Sequence, residues 1–136
     1  MGASFVPIKG LHSQHIGRFW EKIADKYPIS EQAANYGEMV PLDKKEIYPA
    51  PRFWFITEAR DKLVQIQSNL FLCNWRKVDG EGIYPEYGEM KKVFKENYSL
   101  FINFLKDKES EDPVLTELQF SYINHFSKGP SMAGFK

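Results

Sequence analysis

The chain has 136 residues, of which 43% are hydrophobic, 26% charged and 15% aromatic, and Lys plus Arg balance Asp plus Glu at 18 each. This length favours a single globular domain with a sizeable core. The balanced charge gives no support for electrostatic attraction to nucleic acid or to an anionic membrane, so we expect neither as a partner.

The chain has one cysteine, Cys73, and no long apolar run. A single cysteine cannot form an intramolecular disulfide, and its apolar surroundings predict a small buried side chain rather than a nucleophile. No apolar stretch approaches about 18 residues, the length of a transmembrane helix. No signal peptide is recognisable either, so we expect a cytoplasmic protein with no membrane association.

The first predicted helix covers residues 13–26. Ser13 is the predicted N-cap, and Pro28 ends the helix. Before it, residues 5–8 offer only a poor strand, because Pro7 would confine them to a sheet edge. After it, residues 29–51 show no steady period and are predicted to be a long connection. The apolar side chains of the helix recur at three- and four-residue steps: Ile16, Phe19, Trp20, Ile23 and Tyr27.

Residues 52–75 predict a β-hairpin. Two apolar, aromatic-rich runs, at 52–57 and 63–75, flank a short charged segment. Ser68 and Asn69 interrupt the second run, which indicates a bulge or a second turn. The alternation of polar and apolar residues predicts that one face of the sheet is buried and the other open to water.

A second helix is predicted at residues 85–106, and a last strand at 113–126. Pro85 suits the first helical turn. The last strand is predicted to bury Leu118, Phe120 and Tyr122 on the face that also carries Asn124. The helix is predicted to pack one apolar stripe on the sheet: Tyr87, Met90, Phe94, Tyr98, Phe101 and Leu105.

These elements predict an α+β fold with a ferredoxin-like order, a split β-α-β arrangement whose first strand is weak or missing. The antiparallel sheet is predicted to have three to four strands, with both helices packed on one face. Residues 1–126 are predicted to form this single domain. The Gly-, Ser- and Pro-rich residues 127–136 are predicted to be a flexible C-terminal tail.

Several segments resemble a family of uncharacterised, sporadically distributed prokaryotic proteins described as conserved hypothetical. The resemblance lies in Arg-Phe-Trp-Phe-Ile at 52–56, Leu-Val-Gln-Ile-Gln at 63–67, Asn-Trp-Arg-Lys at 74–77, Tyr-Pro at 84–85 and Tyr-Ile-Asn at 122–124. Family members continue into a further half, so the resemblance implies a short member that lacks the C-terminal half. It implies no activity, cofactor or catalytic residue.

No motif in the sequence dictates a chemistry. His12 and His15 are three residues apart, but zinc needs further ligands that no spacing supplies, so we expect no metal site. No Gly-rich phosphate loop or catalytic signature is present, and we expect no cofactor and assign no catalytic residue.

The strongest candidate for a binding site is the end of the hairpin. An asparagine, an indole and a guanidinium follow one another at 74–76 and can form a recognition surface. The alternative is structural, with Trp75 closing the core and the two asparagines bonding to the backbone. The candidate residues are Trp54, Asn74, Trp75, Arg76, Tyr122 and Asn124.

Two functions of different classes remain open. The first is a non-catalytic module that self-associates, as a homodimer, or holds a protein partner through its open sheet face or a free sheet edge. The second is a small-ligand binder or enzyme with an aromatic-lined pocket near Trp54, Trp75 and Tyr122. The polar, uncharged residues assigned to the self-association face are Gln65, Gln67, Asn69, Gln119 and Ser121.

Overall fold

The computed structural model describes residues 1–34, 51–78, 84–108, 110 and 112–122. These residues form an α+β fold with one antiparallel sheet and two helices, α1 (Ser13–Ile23) and α2 (Tyr87–Asp107). The proposed tail at 127–136 lies outside the described residues. The strands are β1 (Gly2–Phe5), β2 (Ile29–Ala33), β3 (Arg52–Ile56), β4 (Lys62–Gln67), β5 (Leu70–Trp75) and β6 (Leu115–Gln119).

The sheet has six strands in the order β2-β3-β4-β5-β1-β6, and every neighbouring pair is antiparallel. The prediction of a three- to four-stranded ferredoxin-like sheet with a weak or missing first strand is therefore wrong. The α+β class and the antiparallel pairing are confirmed. Three local features, described next, account for the additional strands.

A turn at Ser68 and Asn69 divides the second run of the hairpin into β4 and β5. Gln67 pairs with Leu70 across this turn, and the Gln67 side-chain amide donates a hydrogen bond to Asn69 Oδ1 at 2.6 Å. The sequence allows a bulge or a second turn at this point, and the structure has the turn. The turn contains neither glycine nor proline, so its sequence signal is weak.

Strand β1 lies inside the sheet, between β5 and β6. It ends at Phe5, before Pro7, so the proline does not interrupt the ladder. Its small residues carry little strand signal, but they fit a crowded position. A Cβ atom on Gly2 would overlap the Leu72 side chain, so a larger residue at this position requires that side chain to shift.

Strand β2 occupies the start of the segment predicted to be a connection. It pairs with β3 along its whole length, from Ile29 opposite Ile56 to Ala33 opposite Arg52. Its central three residues are exposed, so no apolar alternation marks it in the sequence. Backbone pairing with β3, rather than burial of its own side chains, stabilises β2. The rest of that predicted connection, residues 35–50, lies outside the described residues.

Both helices pack on one face of the sheet through a single aromatic-rich core. Phe71 of β5 lies at the centre of this core. Its ring centroid is 6.4 Å from that of Phe19 in α1 and 5.1 Å from that of Phe101 in α2. The N-cap of α1 is His12, not the predicted Ser13. Most of the predicted α2 stripe is buried, but Tyr87 at its start is 52% exposed. Neither described helix is long and apolar enough to cross a bilayer.

The opposite face of the sheet is also covered in its middle. Ile56, Leu63 and Leu70 are 0%, 5% and 3% exposed, yet they lie outside the cluster that contacts the helices. Gln65 and Gln67 share this face and are 8% and 0% exposed. The prediction of one buried and one open face is therefore wrong for these strands, because amides and aliphatic side chains are buried there together.

Strand β6 is exposed at the edge of the sheet. Leu118 pairs with Ala3, yet it is 68% exposed, and Phe120 and Tyr122 are 42% and 55% exposed. The prediction that these three side chains are buried is wrong. The helices pack over β5 and its neighbours β1, β3 and β4, whose side chains form the core, and no residue of β6 belongs to that core. The predicted continuation of this strand through 123–126 lies outside the described residues.

We expect Phe94→Ala to lower the free energy of unfolding by roughly 3–5 kcal/mol, as large aromatic truncations in cores do. Phe94 is 7% exposed and contacts the rings of Phe71 and Tyr98. Leu100→Ala on the same helix is the control, because Leu100 is 42% exposed. Urea denaturation compares the two variants, and equal effects would contradict this helix orientation.

Candidate functional site

A cleft of about 490 Å³ opens where β5 ends. Met1 and Cys73 exchange backbone hydrogen bonds, and beyond this last pair with β1, β5 continues to Trp75. On the other side of β1, residues 120–122 continue past the Gly2–Gln119 pair. The cleft lies between these two continuing segments. Its volume is within the range of roughly 300–1,000 Å³ that is typical of small-molecule sites.

The structure brings most of the predicted binding residues together around this cleft. The one exception, Asn124, lies outside the described residues. The three segments that contribute them are far apart in sequence, and the antiparallel ladder from β3 to β6 places them together. The predicted residues that line the cleft are Trp54, Asn74, Trp75, Arg76 and Tyr122.

One wall of the cleft is a chain of aromatic rings. The ring centroid of Tyr84 lies 4.8 Å from that of Trp75 and 5.7 Å from that of Tyr122. The ring centroids of Phe120 and Tyr122 are 5.4 Å apart. The Tyr122 hydroxyl donates a hydrogen bond to the Pro85 carbonyl oxygen at 3.3 Å. These contacts join the segment before α2 to the segment after β6, although Tyr84 is 43% exposed.

Polar atoms lie at the other side of the cleft. Trp54 and Gln65 stand directly opposite each other on β3 and β4. Gln65 Nε2 donates a hydrogen bond to Asn74 Oδ1 at 2.7 Å. In the described part of the chain, Gln65 Oε1 and Trp54 Nε1 are buried atoms without a hydrogen-bond partner. An unsatisfied buried polar atom costs about 1–3 kcal/mol, so this pair of atoms requires an explanation.

The charged side chains that line the cleft in the described part of the chain are cationic. Arg76 and Lys77 line it, and no Asp, Glu or His is among the described residues that do so. Arg76 is held in place by the β3–β4 loop, because its Nε donates to the Arg60 carbonyl oxygen at 2.7 Å and its backbone N–H donates to the Asp61 carbonyl oxygen at 2.8 Å. The cleft therefore favours a neutral or anionic ligand over a cationic one.

Cys73 lines the cleft but is not an activated thiol. It is 1% exposed, and burial raises its pKa from 9.0 to about 12. A thiolate is the nucleophilic form of cysteine, and its population at neutral pH is negligible with such a pKa. The sequence-based interpretation of Cys73 as a small buried side chain agrees with this environment.

The cleft residues that sequence reasoning missed include Tyr84, Phe120 and Gln65. Tyr84 belongs to the Tyr-Pro motif of the resemblance and to the start of the second helix region, Phe120 is predicted to be buried, and Gln65 is predicted to lie on a self-association face. Tyr84 and Trp75 come together in the tertiary structure, and no local pattern predicts their proximity. For Gln65, the apolar neighbours Val64 and Ile66 were the available sign of burial.

The residues assigned to self-association do not form one open surface. Gln65 and Gln67 are buried within the chain, whereas Ser121 is exposed. Asn69 and Gln119 are half-buried, and Asn69 accepts the Gln67 hydrogen bond. The expectation that both glutamines face water is wrong. The assignment of these five residues to self-association stays a prediction.

The two histidines of the first helix lie together, with ring centroids 5.6 Å apart. The His12 backbone N–H donates to His15 Nδ1 at 3.0 Å, which makes this pair part of the helix start. In the described part of the chain, no group of three or more His, Cys, Asp or Glu side chains is placed to hold a metal ion.

Comparisons of the chain with family models, curated proteins and solved structures found no match. The resemblance to the conserved hypothetical family therefore stays a prediction from the sequence. The cleft has to be interpreted from its own geometry and chemistry.

We expect Cys73 to resist alkylation and disulfide exchange in the folded protein at pH 8, because its pKa is raised to about 12. The folded state holds this proton more tightly than the unfolded chain does, so the stability it contributes is complete below pH 9. It declines as pH rises from about 9 towards 12. A colorimetric thiol assay, with and without denaturant, measures the first effect. Rapid stoichiometric reaction of the folded protein would contradict it.

Proposed function

We propose that the protein binds a small, flat organic ligand in the cleft at the end of β5. The observation that carries this proposal is a cavity of about 490 Å³ that is lined by two indoles and two phenols, those of Trp54, Trp75, Tyr84 and Tyr122. Flat rings stack on such side chains, and each aromatic contact contributes about 0.5–1.5 kcal/mol beyond the area it buries.

The arrangement of the cleft supports binding of a small molecule over docking of a protein. It is concave, mostly aromatic and aliphatic, and has a few convergent polar groups, which is the usual composition of a ligand site. Leu63 and Met90 add aliphatic surface to the aromatic wall.

Binding without catalysis is the form of this proposal that the described residues support. Among the described residues, the ionisable groups that line the cleft are Cys73, Arg76, Lys77, two tyrosines and the Met1 α-amino group. Burial lowers the pKa of that amino group, which donates to the Cys73 carbonyl oxygen at 2.8 Å. A general acid or base is most effective with a pKa near the working pH and a position beside the reacting group, and the amino group is engaged in the sheet.

A thermal-shift screen against a library of flat aromatic compounds tests this function. A ligand at 100 times its Kd stabilises the folded state by about 2.7 kcal/mol, which raises Tm by several degrees in a protein of this size. We expect hits among aromatic compounds, and among neutral or anionic ones more than cationic ones. A screen in which no aromatic compound raises Tm would contradict the proposal.

Tyr84→Ala should weaken binding of such a hit about 2- to 10-fold, which is the contribution of one aromatic contact. Tyr84 is 43% exposed, so its loss should change stability little. Leu100→Ala is the control, because Leu100 is 42% exposed and does not line the cleft. Calorimetric titration measures both variants, and an equal effect of the two would place the hit outside the cleft.

Self-association through the edge strand β6 is the second candidate function. The specific observation is a row of exposed apolar side chains on and beside this strand, with Val114, Leu115 and Leu118 at 63%, 49% and 68% exposure. In the described part of the sheet, β6 is the terminal strand on this side. A second copy of the chain can add its own β6 to this edge in antiparallel orientation and bury these side chains.

Leu118→Lys should shift the molecule toward monomer in sedimentation experiments at micromolar concentration, because it places two like charges at such an interface. Leu100→Lys is the matched control, since Leu100 is 42% exposed on α2, away from the edge. If the unmodified protein sediments as a monomer at all concentrations, this second function is wrong.

A further inference from the structure

We propose that the ligand of the cleft is a heteroaromatic lactam, a flat ring with a carbonyl and an N–H side by side on one edge, that also carries an anionic group. The inference rests on the proposed function and specifies the chemistry of its ligand. It follows from two unsatisfied polar atoms of opposite type and from the two cationic side chains of the cleft, Arg76 and Lys77.

The two polar atoms are complementary to a lactam edge. Trp54 Nε1 carries a hydrogen and only donates, whereas Gln65 Oε1 only accepts. The two residues form a directly opposed pair on β3 and β4, and in the described part of the chain neither atom has a protein partner. A lactam presents a carbonyl to the donor and an N–H to the acceptor, so one ring edge satisfies both atoms.

The Gln65 amide is oriented before a ligand binds. Its Nε2 donates to Asn74 Oδ1 at 2.7 Å, which leaves Oε1 as the atom without a partner. Gln65 is 8% exposed, and its strand neighbours on both sides fix its backbone. Pre-orientation lowers the entropy cost of binding and makes the site reject ligands that lack the matching edge.

A ligand reaches the two polar atoms only through a side-chain movement. Both are closed to water, so a ligand edge reaches them only after a side chain of the rim rotates, a change that is common on binding. Tyr84 is one cleft side chain that is able to move, because it is 43% exposed and is held by ring contacts.

The cationic side chains of Arg76 and Lys77 indicate that the ligand carries an anionic group. Arg76 is held by the Arg60 carbonyl oxygen at 2.7 Å, and Lys77 next to it is exposed. With no carboxylate among the described lining residues, these cations attract a phosphate or carboxylate attached to the ring. A ring that reaches Gln65 can therefore leave its anion beside Arg76, at the outer part of the cleft.

Calorimetric titration with uridine 5′-monophosphate and guanosine 5′-monophosphate tests the inference on the unmodified protein. Each carries a ring lactam and a phosphate, and the two differ in ring size. The controls are the same nucleotides methylated on the lactam nitrogen, which lose the N–H, keep the charge and carry a methyl group on that edge. We expect at least one parent nucleotide to bind, and its methylated form to bind about 10- to 100-fold more weakly, because Gln65 Oε1 is then left unpaired.

The phosphate contribution is measured with the parent nucleoside of the nucleotide that binds. It should bind more weakly than the nucleotide, and the difference should shrink at high salt, because ions screen Arg76 and Lys77. Trp54→Phe keeps an aromatic face and removes the donor, so it should weaken nucleotide binding. Trp20→Phe is the matched control, since the Trp20 indole donates to the Tyr27 carbonyl oxygen, outside the cleft.

The outcomes separate this inference from the proposed function. If the parent and methylated nucleotides bind equally, or neither parent binds while other aromatic compounds raise Tm, the lactam inference is wrong and the proposed function stands. If no compound of any class binds, both are wrong, and the two polar atoms are then satisfied by buried water alone.

Discussion

The packing of Phe71 against both helices is the interaction on which the rest of the structure depends. Its ring contacts Phe19 of α1 and Phe94, Tyr98 and Phe101 of α2. Interiors are packed at crystal density, so a ring with neighbours on several sides fixes the helices relative to β5. Since α2 begins close to the end of β5, the same packing also determines where the aromatic wall of the cleft is placed.

Because both faces of the sheet are covered in its middle, polar side chains are buried there. Amide side chains such as Gln65 and Gln67 are costly to bury unless they are hydrogen-bonded. Gln67 donates to Asn69, and Gln65 donates to Asn74, but Gln65 Oε1 and Trp54 Nε1 are left without a partner among the described residues. Structures tolerate such a cost most often at functional sites, which connects the stability of the sheet to the proposed use of the cleft.

Several features were predictable from local pattern. The period of the apolar residues located both helices, and the aromatic runs located the hairpin. Trp54, Trp75 and Tyr122 were predicted to lie near one pocket, and they line the same cleft. The strand count was not predictable in this way. The Ser68–Asn69 turn lacks glycine and proline, β1 is built from small residues, and β2 exposes its centre, so none of these features has an apolar signature.

The sequence by itself determined the class of the fold, the positions of its helices and the chemical character of the candidate residues, because periodicity and residue type are local properties. Only the tertiary structure decided which strand faces are covered. Gln65 is buried and Leu118 exposed, the reverse of what their polarity suggests, because β4 is central in the sheet and β6 lies at its edge. Strand order depends on pairings between distant segments, and no local pattern encodes a distant neighbour.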